Sequence, residues 1–131
     1  MGSLKPAAVC PCGNGQTYAA CCGQLHAGAE NAATAEALMR SRYSAYVGQL
    51  ADYLLATWHP TTRPSELDLA ADGTKWLGLE VKRQQVIDAH HATVEFVARY
   101  RIAGRGHRLH ELSRFVREDG RWYYVDGDLA P

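Results

Sequence analysis

All four cysteines of this chain fall between residues 10 and 23, in the run Cys-Pro-Cys-Gly-Asn-Gly-Gln-Thr-Tyr-Ala-Ala-Cys-Cys-Gly. No other stretch restricts the fold as tightly. Cys10 and Cys12 form a Cys-x-Cys pair, and Cys21-Cys22 follows after eight intervening residues. Four thiolates on so short a loop match the closed, four-coordinate arrangement of a structural zinc site. Sulfurs about 2.3 Å from a common zinc ion lie just under about 4 Å apart, so the backbone must turn sharply between them. Pro11, Gly13 and Gly15 suit such turns, and the two glycines let amides point at the sulfurs and stabilise their charge. One zinc ion per chain, held by Cys10, Cys12, Cys21 and Cys22, is therefore the first expectation. The alternatives are four reduced structural cysteines and a redox Cys-x-Cys pair. A complete ligand set leaves no open coordination position, so catalysis at the metal is not expected.

The segment around the cysteines has few bulky apolar residues beyond Val9, Tyr18 and Leu25, too few to fold alone. Zinc would supply the missing stability, on the order of 10 kcal/mol in small peptides. We divide the chain of 131 residues into a zinc module and linker over residues 1–33 and an α+β domain over residues 34–131. Hydrophobic residues make up 47% and charged residues 21%, ordinary values for a folded chain. Fourteen basic and fourteen acidic residues cancel, which removes a whole-molecule field for nucleic acid or an anionic membrane. No apolar run approaches the roughly 20 residues of a membrane span, and the N-terminus lacks the apolar core of a secretion signal. A cytoplasmic location without membrane attachment is expected, and a reducing compartment favours metal binding over disulfides.

The small-residue linker 29–33 leads to Thr34, which reads as a helix N-cap with Glu36 in the first turn. Leu38, Met39, Tyr43, Tyr46, Val47 and Leu50 recur at spacings of three and four, predicting a helix over residues 35–47 that breaks near Gly48. A second short helix is expected over 52–58, ended by Pro60, then a loop to Asp72-Gly73 with one helical turn at 65–69. From Trp76 the period becomes two. Strands are expected at 77–88, 93–103, 107–118 and 121–126, with hairpins at Gly104-Arg105-Gly106 and Asp119-Gly120. Leu109 and Phe115 have the opposite parity to Leu112 and Val116, which predicts a bulge or bend in the third strand. Helices followed by long antiparallel strands give an α+β fold, a cone-like domain with helices packed on a curved sheet.

The cysteine stretch resembles the SEC-C zinc motif found at the carboxy terminus of the SecA translocation ATPase. The likeness rests on Cys10-Pro11-Cys12-Gly13, Gly15, Tyr18 and Cys21-Cys22-Gly23, with Cys22 where SecA commonly has histidine. The remainder resembles the YchJ-type family of bacterial proteins, in which this motif precedes a domain similar to nuclear transport factor two. Residues 37–46, 54–60, 109–115 and 120–127 carry that likeness. It implies the cone-like fold and a bound zinc. The likeness to SecA's tail implies a partner among chaperones or the components of translation or secretion.

Three roles follow, in order. The leading expectation is a protein-interaction adaptor presenting Asn14, Gln16, Thr17 and Tyr18 on the zinc-held loop to a protein partner. The second is a small-molecule binder or enzyme using the cone pocket. Pocket candidates are Tyr43, Tyr46, Trp58, His59, Arg114 and Asp126, with His110 or Glu111 as the base of any reaction. No nucleophile, cofactor loop or paired-acid motif is legible, so binding ranks ahead of catalysis. The third is nucleic-acid binding through Arg99, Arg101, Arg105, Arg108, Arg114, Arg117 and Arg121. Alternation should divide these arginines between two faces, and a solvated exterior is the plainer account. Among the histidines none forms a second metal set, and His26 is expected in solvent. A homodimer through the sheet is a further expectation.

Overall fold

The computed structural model describes residues 4–28, 30–69 and 73–129. Ala29 of the expected linker, Asp72 of the Asp72-Gly73 turn and the last two residues of the expected second domain lie outside that set. Three helices, α1 (Cys22–His26), α2 (Ala35–Val47) and α3 (Ala51–Ala56), precede four strands. These are β1 (Lys75–Asp88), β2 (His91–Ile102), β3 (Arg105–Glu118) and β4 (Arg121–Leu129), paired antiparallel in sequence order.

Local chemistry accounts for the ends of α2. The Thr34 hydroxyl accepts a hydrogen bond from the Ala37 amide at 3.0 Å, the N-cap that the sequence suggests. Chain reversal follows Gly48, where Gln49 takes a left-handed φ of 57°. The buried residues of α2 include Leu38, Met39 and Tyr43 but also Ser41, Arg42, Ser44 and Ala45. One apolar stripe would not bury all of these. The sheet covers one side of the helix and the cysteine module the other.

Two departures from the expected elements have physical causes. The helix expected over 52–58 spans Ala51–Ala56, because Thr57 to His59 instead pair with a strand. The Tyr124 amide donates to the Thr57 carbonyl at 2.9 Å, the His59 amide donates to the Tyr124 carbonyl at 2.8 Å, and Trp58 bridges Tyr124 in parallel. No helical turn forms over residues 65–69.

Tight turns with left-handed residues, Ala103-Gly104 and Asp119-Gly120, join the last three strands. The β2–β3 register runs unbroken from His91↔Val116 to Ile102↔Arg105, so β3 has no bulge against β2, and the irregularity expected in the third strand occurs only against β4, at Arg114/Phe115. The core face of β3 carries Leu109, Glu111, Ser113 and Phe115, while Leu112 is 36% exposed on the other side. Two polar residues inside that face concealed the alternation. Further register irregularities fall in β1, at Trp76/Gly78, Val81/Arg83 and Val86/Asp88, and between β3 and β4 Val125 is the extra residue. The resulting curved sheet wraps a core of Leu38, Met39, Tyr43, Val94, Phe96, Phe115 and Trp122.

Candidate functional site

Residues 8–18 form a small loop closed by the Val9↔Thr17 bridge, with the Cys10 amide donating to the Gln16 carbonyl and the Tyr18 amide to the Ala8 carbonyl, both at 2.8 Å. Gly13 and Gly15 turn it with φ of 84° and 88°, which bulkier residues adopt only with strain. Helix α1 then brings Cys22 back beneath the loop. Gly23 is required there, since a Cβ at that position would lie 2.6 Å from the Tyr18 carbonyl oxygen. We expect Gly23→Ala to reduce zinc retention in a chelator competition, with the sheet's circular dichroism unchanged.

The four sulfurs lie within 4.8 Å of one another, Cys12 to Cys21 at 3.6 Å and Cys21 to Cys22 at 3.8 Å. Those two separations match tetrahedral coordination by zinc at about 2.3 Å and are far too long for a disulfide bond of about 2.05 Å. Cys10, Cys12 and Cys22 are buried and Cys21 is half-buried. Hydrogen bonds from Cys12 and Cys22 hold the Cys10 thiol well below its ordinary pKa, while Cys12 is pushed up to about 12, chiefly by its bond to Cys10. Cys22 is raised as well, by Cys10 and Cys12. A divalent cation would replace those protons and charge all four sulfurs.

The module is fastened to α2 and β1 by polar and apolar contacts. The Cys10 sulfur meets the Ser44 hydroxyl at 3.5 Å, Arg40 donates to the Cys12 carbonyl at 2.6 Å, and Leu79 of β1 packs on the cysteines. His26, expected in solvent, is instead part of this seam. Its Nε2 donates to the Ser41 carbonyl at 2.8 Å, leaving Nδ1 to accept from the Tyr18 hydroxyl at 2.5 Å, and Tyr53 meets the ring edge-on. Sequence reasoning missed it because Ser41 and Tyr53 are remote in the chain.

Burial holds the His26 pKa below its ordinary 6.5. The unfolded chain therefore takes up a proton near 6.5 and the folded chain only at lower pH, so this contribution to stability is intact above about 6.5 and lost below it. Chemical denaturation across pH, with zinc saturating, should show a steeper acid loss for the wild type than for His26→Gln, whose amide can replace both hydrogen bonds.

A second site lies between α2 and the concave face of the sheet. This cavity of about 250 Å³ has apolar walls of Met39, Trp76, Phe96, Ala98, Leu109 and Phe115. Its polar lining is Arg42, Tyr43, Tyr46, Glu111, Ser113 and Tyr124. Arg42 is 5% exposed; its Nη1 donates to the Leu54 carbonyl at 2.8 Å and to the Thr57 hydroxyl at 2.7 Å. Its guanidinium lies 5.0 Å from the Trp58 ring centre and 4.7 Å from that of Tyr124. Burial lowers its pKa, although a guanidinium remains charged. Across the cavity, Glu111 Oε2 accepts from the Ser113 hydroxyl at 2.6 Å and the Tyr124 hydroxyl at 3.3 Å. Burial pushes the Tyr43 phenol up to about 12 and raises those of Tyr46 and Tyr124.

Of the pocket candidates, Tyr43, Tyr46 and Glu111 line this cavity. Trp58 stands behind its wall, against Arg42 and Tyr124. The others lie elsewhere. His110 neighbours Glu111 on a strand and so points to the opposite face, where its Nε2 meets Glu95 at 2.7 Å. Arg114 shares that outer face and pairs with Asp126 at 2.6 Å and Asp128 at 2.7 Å. His59 is held by Glu118 at 2.9 Å. The arginines divide between the two faces as expected, with Arg99, Arg101, Arg108 and Arg114 on the outer face and Arg105 on the other. Sequence reasoning misses Arg42, although its spacing from Leu38, Met39 and Tyr46 is helical, because a charged residue does not belong to an apolar stripe.

Among the described residues, no helix is long and apolar enough to cross a membrane. Fold and site together define a class: a four-cysteine knuckle docked on the central helix of a cone-shaped α+β domain with an internal pocket. Residues 34–127 match the family model described as YchJ, middle NTF2-like domain, and the chain belongs to that family. A UPF0225 protein of Bordetella parapertussis is 64% identical over 124 residues, covering 93% of each chain. One from Ralstonia nicotianae is 58% identical over 136 residues, covering 95% of this chain and 94% of its own. Similar solved structures include a SEC-C motif containing protein from Rhodopseudomonas palustris, with TM-score 0.84 and 38% identity, over 93% of this chain and 98% of the other. Another, from Psychrobacter arcticus, has TM-score 0.80 and 31% identity, over 96% and 85%.

Proposed function

We propose that this chain is a zinc-stapled small-molecule-binding protein whose working site is the cavity of the cone-like domain. The observation that carries this reading is Arg42, a buried cation whose protein hydrogen-bond partners are neutral, lining the same cavity as Glu111. A buried charge costs several kcal/mol unless it is compensated, and a binding site is one setting in which that cost is kept. Zinc on Cys10, Cys12, Cys21 and Cys22 has a structural part, since four sulfurs leave no position for a substrate. Elemental analysis should find about one zinc per chain. Native mass spectrometry of the gently purified protein should find a small adduct that Arg42→Met loses; a cavity closed by core side chains in an experimental structure would end the reading.

A second reading, the adaptor, keeps one supporting observation. Asn14, Gln16 and Thr17 are exposed on the loop, and Asn14 braces Gln16 through hydrogen bonds of 3.0 and 3.2 Å. Tyr18 is half-buried with its hydroxyl on His26, so it supports the loop from inside. A pull-down comparing wild type with an Asn14/Gln16/Thr17 triple alanine variant tests this reading: identical partner lists would sink it.

A further inference from the structure

The cavity contains one cation and one carboxylate among its described lining residues, and the two are not paired with each other. Tyr124 stands between them, its ring face against the Arg42 guanidinium and its hydroxyl donating to Glu111. The opposite charges are thus held apart by an aromatic spacer, so that Glu111 acts on Arg42 through space but the two make no direct ion pair. Glu111 uses Oε2 for both its hydroxyl donors, and Oε1 accepts nothing from the described residues. Space for this carboxylate is kept by Gly127 on β4, where any Cβ would run into the Glu111 side chain.

A ligand with only an acid group would satisfy Arg42 and face an uncompensated carboxylate. An amine alone would have the reverse problem. A molecule with both groups satisfies both walls and leaves the site neutral. Apart from Ser113, the remaining lining is aromatic and aliphatic, and at about 250 Å³ the cavity sits just below the common range of about 300–1,000 Å³ for ligand pockets.

Resting on the reading that this cavity is a ligand site, we propose that it binds a small zwitterion, an amino-carboxylic acid with an apolar body, its carboxylate on Arg42 and its ammonium on Glu111. The test titrates the full, zinc-loaded chain with four probes while following the Trp76 indole resonance on the cavity wall. These are phenylalanine, its decarboxylated amine phenethylamine, its deaminated acid 3-phenylpropanoate, and uncharged ethylbenzene. The expected order places phenylalanine first, with the amine and the acid each at least about tenfold weaker. Arg42→Met should erase the advantage of phenylalanine over the amine, and Glu111→Gln its advantage over the acid. Both variants are first checked for wild-type folding by their amide spectra; should Arg42→Met misfold, Glu111→Gln and the wild-type order carry the test. Equal or tighter binding of the acid, the amine or ethylbenzene overturns the zwitterion proposal and leaves the pocket reading standing. Failure of all four probes to shift Trp76 overturns the proposal, and a cavity found filled by core side chains removes the pocket reading with it.

Discussion

Cys12→Ser is expected to abolish zinc retention and unfold the segment from residue 4 to 28, while the sheet remains folded. Cys12 is fully buried, and a serine oxygen there is a poor substitute for a soft thiolate. The effect is large because a structural zinc contributes about 10–16 kcal/mol in small modules, comparable with the entire stability of an ordinary domain, about 5–15 kcal/mol. Without the metal, what remains at the seam is the packing of Leu79 and Tyr53 and the polar contacts of His26, Tyr18, Arg40 and Ser44, worth about 1 kcal/mol each. The β2 and β3 amides draw on a different core of Val94, Phe96, Ala98 and Phe115. Hydrogen exchange should show amides of residues 8–28 losing protection with those of β2 and β3 unchanged. Equal protection of residues 8–28 in wild type and variant would contradict the staple.

Phe115→Ala is expected to lower stability by about 3–5 kcal/mol, a large part of the total. The side chain is 1% exposed, lies opposite Ala92, and meets the Tyr124 ring at 5.7 Å. A small residue across the sheet cannot fill the space, and the void would join the existing cavity. Leu112→Ala, on the same strand but 36% exposed on the outer face, should change stability by only about 0.5 kcal/mol. Urea denaturation of the two variants measures this contrast. Similar losses would mean that the assignment of faces on β3 is wrong.

Much of this architecture was legible because it is locally encoded. The cysteine cluster follows from spacing within a short loop, the start of α2 from the Thr34 cap, and the β3–β4 hairpin from Asp119-Gly120. What sequence reasoning misplaced depends on partners distant in the chain. Parity separates His110 from Glu111, yet only the register with β2 says which of them faces α2. Ser41, Ser44 and Ala45 read as an unremarkable helix back until the knuckle is seen resting on them. Arg42 lies on the apolar side of α2, and its charge is tolerated there by Leu54, Thr57 and two aromatic rings that no local pattern announces.

The irregularities of β1 bear also on strand addition at the border of the sheet. A four-stranded sheet has two borders, and on one of them β4 is engaged by Thr57 to His59. The other border is β1, which carries the exposed apolar residues Leu77, Val86 and Ile87. A straight strand of that character invites a second chain to add alongside it and begin a fibre. Three breaks in register bend β1 out of any continuous template, and the charged Lys75, Glu80, Lys82, Arg83 and Asp88 interrupt its apolar residues. The strand that shapes one wall of the cavity is thereby also a guard against aggregation.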